Sequence, residues 1–228
     1  MRGWLPWVAA VLIGVGAGAG TMLLVERQGG GGVRDYLLAH PEVIPEAMQR
    51  LRDRETGKVI AASRAAIETP VGSAWAGNPR GDVTLVEYYD YNCGYCRASL
   101  PTVADLVKSD PGVRIVYREL PVLAPSSHAA ALASLAAAHQ GRFAAFHQAL
   151  YAAGPVSDAT VADVAKRTGV ATAASAAPGD EAAIVANLKA AGQLGMTGTP
   201  SWVVGNRVLI GAQTLAQLQD AVAAARGR

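Results

Sequence analysis

The chain has 228 residues, of which 51% are hydrophobic, and its formal net charge at pH 7 is +2. This length fits one ordinary domain with appendages, and the apolar content is ample for a core. The nearly neutral charge gives no sign of a nucleic-acid-binding protein, which would carry a pronounced basic excess.

The N-terminus carries an uncharged segment, residues 3–25, with Arg2 before it. The segment is long enough to cross a bilayer, which takes about 20 apolar residues, and the early arginine favours a cytoplasmic N-terminus with an exported remainder. The alternative is a cleaved signal peptide, because residues 17–19 read Ala-Gly-Ala. Residues 22–25, just after that site, are apolar, which favours the interpretation of residues 1–27 as an uncleaved signal anchor. Both alternatives export the rest of the chain into an oxidising compartment.

A glycine-rich tether and a short helical segment follow, and together they form the predicted unit 28–68. The tether contains four consecutive glycines, residues 29–32, and is expected to be flexible. Beyond it, apolar side chains recur with helical spacing from Ile44 to Leu51. So short an amphipathic helix is not stable alone, and its apolar stripe must pack on its own domain or on other copies of the chain. Residues 33–68 are therefore a candidate segment for homo-oligomer formation.

The remaining chain, residues 83–228, has the pattern of an α/β domain. Apolar runs over Val83–Tyr88 and Val113–Tyr117 predict two parallel strands joined by a helix. Before them, residues 69–82 are rich in glycine and proline and are predicted to be a linker. After them, residues from about 125 to 194 are rich in alanine and helical in composition, in stretches separated by glycine and proline.

Two further strands and a closing helix complete the predicted domain. The third strand begins after Gly198-Thr199-Pro200, and the fourth, Val208–Ile210, returns after a hairpin turn at Asn206. Thr214 is the predicted N-cap of the last helix, which places its apolar residues on one face.

The only two cysteines of the chain, Cys93 and Cys96, form one C-x-x-C motif where a strand is followed by a helix. In that context the motif indicates a redox site. A cysteine in the first helical turn is close to unpaired backbone N–H groups and to the positive end of the macrodipole, and both favour the reactive thiolate. Cys96 lies one turn deeper on the same side. We assign Cys93 as the nucleophile and Cys96 as the resolving thiol.

A structural disulfide and a metal site are the alternatives for this motif. A disulfide across two intervening residues closes a very short loop and removes little chain entropy. A zinc site needs two more ligands, and there is no other cysteine. The four histidines show no close H-x(3–5)-H spacing: His40, His128, His139 and His147. Redox chemistry is therefore favoured, and neither a metal nor another cofactor is expected.

The chain resembles the DsbA-like branch of the thioredoxin superfamily. The resemblance rests on Glu87, six residues before the first cysteine, on the sequence Cys-Gly-Tyr-Cys and on the downstream Thr199-Pro200. Residues 86–96, Val-Glu-Tyr-Tyr-Asp-Tyr-Asn-Cys-Gly-Tyr-Cys, followed by Arg-Glu-Leu-Pro at 118–121, resemble Com1/ScsC-type periplasmic proteins. The resemblance implies a thioredoxin-like fold in which the helices of residues 125–194 are a DsbA-type insertion.

The resemblance also implies roles for the residues around the cysteines. It implies a cis peptide bond at Thr199-Pro200 beside the motif, where the Thr199 backbone pairs with an extended substrate. By its position in a strand alone, Glu87 is either a surface residue or a buried acid. The resemblance places it below the resolving cysteine as a carboxyl that relays a proton. Gly94 and Tyr95, between the cysteines, complete the expected substrate-contacting surface.

Three functions remain open for such a chain. The first is a dithiol oxidase that donates its disulfide to newly exported proteins, and the second is a disulfide isomerase or reductase. The third is a binding module without catalysis, against which the intact motif and Glu87 argue. The expected partners are exported proteins with thiols or disulfides and a membrane redox protein, DsbB-like or DsbD/ScsB-like. The expected location is the periplasmic side of the bacterial inner membrane, anchored by residues 3–25, or the soluble periplasm after signal cleavage.

Overall fold

The computed structural model describes residues 32–172 and 177–227. Its contacts divide the chain into a short unit, residues 1–52, and a larger unit, residues 53–228. The predicted signal anchor and the first part of the tether, residues 1–31, lie outside the described residues. Among the helices of the described part of the chain, none combines the length and the apolar composition that a membrane crossing requires.

The short unit contains helix α1, residues 32–39, and the first part of helix α2, Val43–Glu68. The helix predicted from the spacing of Ile44 to Leu51 is confirmed. Its large apolar side chains are between 49% and 65% exposed: Val33, Tyr36, Leu38, Ile44, Met48 and Leu51. The apolar side chains of this segment are therefore largely exposed.

The larger unit is built on a mixed five-stranded sheet. Its strands in chain order are β1 (Trp75–Gly77), β2 (Val83–Tyr89), β3 (Val113–Glu119), β4 (Ser201–Val204) and β5 (Arg207–Ile210). The order across the sheet is β1-β3-β2-β4-β5. Strands β2 and β3 run parallel, and the other neighbouring pairs run antiparallel. Because β2 is the central strand, the cysteine motif that follows its C-terminal end lies midway along that edge of the sheet.

Helices connect these strands as the sequence predicts. Helix α3 (Gly94–Ser109) joins the two parallel strands, and helix α8 (Leu215–Arg226) closes the chain with Thr214 as its N-cap. The insertion between β3 and β4 consists of α4 (Pro125–His139), α5 (Phe143–Ala152), α6 (Asp158–Thr168) and α7 (Asp180–Gln193). This is the topology that the resemblance to the DsbA-like branch implies.

The two faces of β2 pack against different helices. Leu85 and Tyr89 belong to the core cluster that includes residues of α3 and α8, whereas Val86 and Tyr88 belong to a cluster with residues of α2 and α7. Side chains alternate between the two faces of a strand. Glu87 therefore shares the face of Leu85 and Tyr89, which is covered by the helix that carries the cysteines.

Strand β1 lies inside residues 69–82, which the sequence predicts to be a linker. It is only three residues long, and glycine and proline occur on both sides of it, so the breaker pattern hides it. Trp75 pairs with Val116 of β3, and the Tyr117 amide donates to the carbonyl oxygen of Ala74 at 3.0 Å. This stretch therefore supplies an edge strand of the sheet.

Arg118 attaches the end of α2 to the sheet. Its side chain is buried on the face of β3 that α2 covers, and its guanidinium donates to the carbonyl oxygens of Ala66, Ile67 and Thr69. The last carbonyl groups of a helix have no partner within the helix and need an external donor. The guanidinium is that donor for α2.

Replacing Arg118 with leucine is expected to lower the free energy of unfolding by about 3 kcal/mol. Hydrogen bonds to a charged group are worth about 1.5–3 kcal/mol each, and the substitution leaves buried carbonyl groups without a donor. Urea denaturation of the whole chain measures the change. The matched control is Arg167→Leu, which removes an exposed ion pair with Asp163 one helical turn away and should cost at most about 0.5 kcal/mol. Equal losses in both variants would show that Arg118 is not an anchor.

Candidate active site

The two cysteines lie at the start of α3, directly after β2. Cys93 is the N-cap residue, with an extended backbone (φ −82°, ψ 115°), and its sulfur accepts a hydrogen bond from the Cys96 amide at 3.4 Å. Its own amide donates to the carbonyl oxygen of Asp90 at 3.0 Å. The predicted placement of the motif at a strand-to-helix transition is confirmed.

Both thiols are free and buried, with Cys93 5% and Cys96 1% exposed. The residues between them are the accessible part of the motif, since Gly94 is exposed and the Tyr95 side chain is 71% exposed. A large substrate can therefore contact the motif first through these two residues.

The loop before β4 lies against Cys93. The Cys93 thiol donates to the carbonyl oxygen of Thr199 at 3.1 Å, across 106 positions of sequence, and the Thr199-Pro200 peptide bond is cis, as the resemblance implies. Pro200 is buried, and among the described residues the Thr199 hydroxyl has no hydrogen-bond partner. The fold thus brings together the nucleophile and the loop residues that the sequence singles out.

Glu87 is a buried acid, 3% exposed, with Tyr117 and Trp202 beside it on the neighbouring strands. Removal from water disfavours the carboxylate and raises the pKa of Glu87 to about 8. At pH 7 the carboxyl therefore keeps its proton in most molecules. Burial, and then the charge that Glu87 carries when ionised, raise the pKa of the Cys96 thiol. The two groups are within electrostatic reach of each other.

A second buried carboxyl, Glu119, lies at the end of β3. It accepts a hydrogen bond from the Tyr89 hydroxyl, and burial raises the pKa of Glu119 to about 8. The adjacent Tyr91 hydroxyl is hydrogen-bonded to Ser134 Oγ at 2.8 Å and to His147 Nδ1 at 3.0 Å. Burial lowers the pKa of His147 to about 3, so its ring is neutral at pH 7. His147 is a buried packing residue of the insertion.

Sequence reasoning misses Asp90, which is 1% exposed and lies between Glu87 and the motif. Its carboxyl oxygens accept four hydrogen bonds at 2.7–2.9 Å, from the amides of Asn92, Val122 and Leu123 and from the Ser127 hydroxyl. An aspartate that accepts from the amide two residues later forms an Asx-turn. An aspartate a few residues before the first cysteine is the sequence signal that could have identified this turn.

These groups have the parts that thiol–disulfide exchange requires. The N-cap cysteine has an amide donor for its thiolate, the second cysteine lies one turn deeper, and a protonated carboxyl lies in the core nearby. Within residues 32–172 and 177–227, no group of three or more histidine, cysteine, aspartate or glutamate side chains is arranged to hold a metal ion.

Two families match the chain. Residues 84–223 match the DSBA-like thioredoxin domain, and residues 30–56 match the N-terminal domain of the copper resistance protein ScsC. The first match covers more than half of the chain and includes the motif, Glu87 and Thr199-Pro200. The second match covers α1 and the first part of α2.

Solved structures of related proteins agree with these matches. A thioredoxin-like oxidoreductase from Silicibacter pomeroyi DSS-3 is 42% identical, with a TM-score of 0.68 over 72% of this chain and 98% of that chain. A linker-deletion mutant of ScsC from Proteus mirabilis is 27% identical, with a TM-score of 0.71 over 89% of this chain and 95% of that chain. A periplasmic thioredoxin-like protein from Salmonella enterica serovar Typhimurium is 26% identical, with a TM-score of 0.66 over 72% of this chain and 96% of that chain.

Curated relatives match only a segment. The Na(+)/H(+) antiporter NhaA 3 of Salinispora tropica is 41% identical over 78 residues, 33% of this chain. The chain spans 12% of the length of the curated relatives it matches. The family match over residues 84–223 and the likeness to the Silicibacter oxidoreductase agree with the fold. The chain therefore belongs to the DsbA-like thioredoxin-domain family, whose members are thiol–disulfide oxidoreductases.

Proposed function

We propose that this protein exchanges disulfides with exported proteins through Cys93 and Cys96, and that residues 83–228 form its catalytic domain. The observation that carries the proposal is the N-cap position of Cys93, whose sulfur has the Cys96 amide as a donor. We place the protein in the bacterial periplasm, either anchored to the inner membrane or soluble. The likeness to the periplasmic Salmonella protein and to ScsC supports that compartment.

As an oxidase, the protein would begin with a disulfide between Cys93 and Cys96. A substrate thiolate attacks the Cys93 sulfur, which forms a mixed disulfide and releases the Cys96 thiolate. Glu87, protonated at pH 7 and close to Cys96, is the proposed donor of the proton that this thiolate takes up. A second substrate thiolate attacks the substrate sulfur of the mixed disulfide and releases the Cys93 thiolate. The substrate loses two electrons, and the protein gains them as a dithiol.

We place the substrate chain against Thr199 and Pro200. The Thr199 carbonyl contacts the Cys93 thiol, so the backbone of this loop lies where it can bind a substrate chain that is attached to Cys93. Gly94 and Tyr95 would contact the substrate on the exposed side of the motif. A DsbB-like membrane protein is the proposed acceptor of the two electrons.

A second candidate function, disulfide isomerase or reductase, is favoured by the exposed apolar side chains of α1 and α2. They lie in the segment that matches the ScsC N-terminal domain. Exposed apolar side chains grouped on one segment mark an interaction site, and we propose that residues 33–68 mediate self-association. An oligomer would place several dithiols around one substrate. In this case a DsbD/ScsB-like membrane protein would keep the cysteines reduced.

The reduced full-length chain is expected to repair a wrongly disulfide-bonded substrate if it is an oligomeric isomerase. The variant with Ile44→Ser, Met48→Ser and Leu51→Ser should then become monomeric in light scattering and lose that repair. Each of the three apolar side chains that it removes is about half exposed and so can contact another copy of the chain. Its oxidised form should still oxidise a reduced peptide as fast as the parent. Val185→Ser, at a 61% exposed position of α7, is the matched control and should change neither property.

The assay also separates the two candidates. A monomeric parent chain that oxidises reduced peptides and repairs nothing would exclude the isomerase and leave the oxidase. A chain that performs neither reaction would refute the proposed function itself.

A further inference from the structure

The Asp90 carboxylate connects two segments that are distant in sequence. Its Oδ1 accepts from the Asn92 amide at 2.8 Å and from the Ser127 hydroxyl at 2.7 Å. Its Oδ2 accepts from the Val122 and Leu123 amides at 2.8 and 2.9 Å. A buried carboxylate is stable only with such partners. The residues before the motif are thereby fixed to the connection between β3 and α4.

The backbone of the same residue contacts the motif and the insertion. Its carbonyl oxygen accepts from the Cys93 amide and from the Tyr151 hydroxyl of α5, both at 3.0 Å. The Asn92 side chain adds a bond to Ser127 Oγ at 2.9 Å. Asp90 is therefore the residue at which the start of α3, the β3–α4 connection and α5 meet.

The hydrogen bond that Asp90 would protect is the one between the Cys96 amide and the Cys93 sulfur. The Cys93 sulfur lies 3.4 Å from the Cys96 amide nitrogen, and this bond depends on the extended N-cap conformation of Cys93. A displacement of the preceding loop would lengthen this bond and weaken the donor to the thiolate. Among the described residues, Asp90 is hydrogen-bonded to the Cys93 amide, whereas the hydrogen bonds of the Cys93 sulfur go to Thr199 and Cys96, so the effect of Asp90 on that thiol would be indirect.

We propose that Asp90 is a positioning residue for the nucleophile: its carboxylate, through four hydrogen bonds, holds Cys93 in the N-cap geometry that stabilises the thiolate. This inference rests on the proposed function, since it assigns Cys93 as the reacting thiol. Asp90 takes no part in bond making or breaking, and it acts through the backbone of residues 90–93.

Asp90→Asn in the reduced full-length chain tests the proposal. The substitution keeps the size of the side chain but turns an –NH2 group toward donors that need an acceptor. We expect alkylation of Cys93 at pH 6, followed by mass spectrometry of its peptide, to slow about three- to tenfold, the factor that one net hydrogen bond is worth. The reduction potential should become more reducing, because the dithiol form loses stabilisation.

The direction of the change separates positioning from a simple charge effect. Removing a negative charge beside Cys93 without moving it would favour the thiolate and speed alkylation. Faster alkylation in Asp90→Asn would therefore overturn the proposal, and so would an unchanged rate.

Ser127→Ala provides a milder variant, since it removes one of the four donors to the carboxylate. It should slow alkylation about twofold, and it decides the question if Asp90→Asn fails to fold by circular dichroism. Asp110→Asn is the matched control at the other end of α3, where the carboxyl accepts from the Gly112 amide at 2.9 Å, and it should leave alkylation unchanged.

The test is independent of substrate turnover. Alkylation reports on Cys93 alone, so a parent chain that alkylates normally but exchanges no disulfides would refute the proposed function. Parent-like alkylation in Asp90→Asn, or in Ser127→Ala where Asp90→Asn does not fold, would refute the role of Asp90.

Discussion

Cys96→Ala is expected to accumulate mixed disulfides with substrate proteins, whereas Cys93→Ala is expected to form none. Cys93 has an amide donor for its thiolate and lies beside exposed Gly94 and Tyr95. Burial, and then the charge that Glu87 carries when ionised, raise the pKa of Cys96, which makes it a poor nucleophile toward an external disulfide. Without Cys96, the mixed disulfide on Cys93 has no neighbouring thiol to resolve it, so turnover should fall to background in both variants.

Non-reducing electrophoresis after incubation with a disulfide-bonded peptide measures this difference. The adduct of Cys96→Ala should disappear on addition of dithiothreitol, and peptide mass spectrometry should place it on Cys93. The double variant, with both cysteines changed to alanine, is the control for non-specific association. Adducts on Cys96 in the Cys93→Ala variant, in amounts like those of the reciprocal variant, would reverse the assigned roles.

The predicted elements around the motif are right because each rests on a local pattern. The apolar run at Val83 predicts β2 to within one residue, and the helix predicted from Cys93 begins at Gly94 with Cys93 as its cap. The breaks at glycine and proline bound the helices of the insertion, and the hairpin at Asn206 joins β4 to β5. Such features depend on neighbours in sequence, which a single chain displays.

The burial of Glu87 does not follow from any local pattern. Strand β2 is buried along nearly its whole length on both faces, so its residues show no polar and apolar alternation from which an orientation could be inferred. The resemblance to the DsbA-like branch, rather than the residues themselves, implied a buried acid. The position of Glu87 under α3 depends on packing between distant segments.

The network around Asp90 is hidden for the same reason. Three of the four donors to its carboxylate come from residues 122–127, more than 30 positions away, and two of these are backbone amides without a residue-type signature. Glu119 likewise finds its partner Tyr89 on the neighbouring strand. Spacing along one chain cannot show which loop amides converge on a carboxylate.

Glu87→Gln is expected to raise the free energy of unfolding at pH 7 by about 3 kcal/mol. The folded chain raises the pKa of Glu87 from its ordinary value of 4.5 to about 8, because burial disfavours the carboxylate. Between these two values the folded state binds one proton more than the unfolded state. Unfolding therefore becomes easier by about 1.4 kcal/mol for each unit of pH over that window.

The variant carries a neutral amide at every pH, so its free energy of unfolding does not show this decrease with rising pH. Below about pH 4.5 both states of the parent are protonated, so parent and variant should be similarly stable. The difference should grow as the pH rises and level off above about pH 8. Glu119, which has the same direction of shift, is present in both proteins and cancels in the comparison.

Urea denaturation of the reduced protein at pH 4.5, 6, 7 and 8 measures this dependence. Glu181→Gln, at an exposed position of α7, is the matched control, and its stability should follow the parent within about 0.5 kcal/mol at every pH. A difference between parent and Glu87→Gln that does not change with pH would mean that Glu87 is not a buried, protonated acid in the folded chain.

Turnover should move in the opposite direction from stability. If Glu87 supplies the proton that the Cys96 thiolate takes up, Glu87→Gln should slow oxidation of a reduced peptide about a hundredfold, as expected for loss of a general acid. If Glu87 served only for packing, glutamine at this position would raise the stability of the protein and leave the oxidation rate unchanged. A variant that is more stable and slower would therefore identify a buried acid retained for its chemistry at a cost in stability, since burial alone disfavours its charged form.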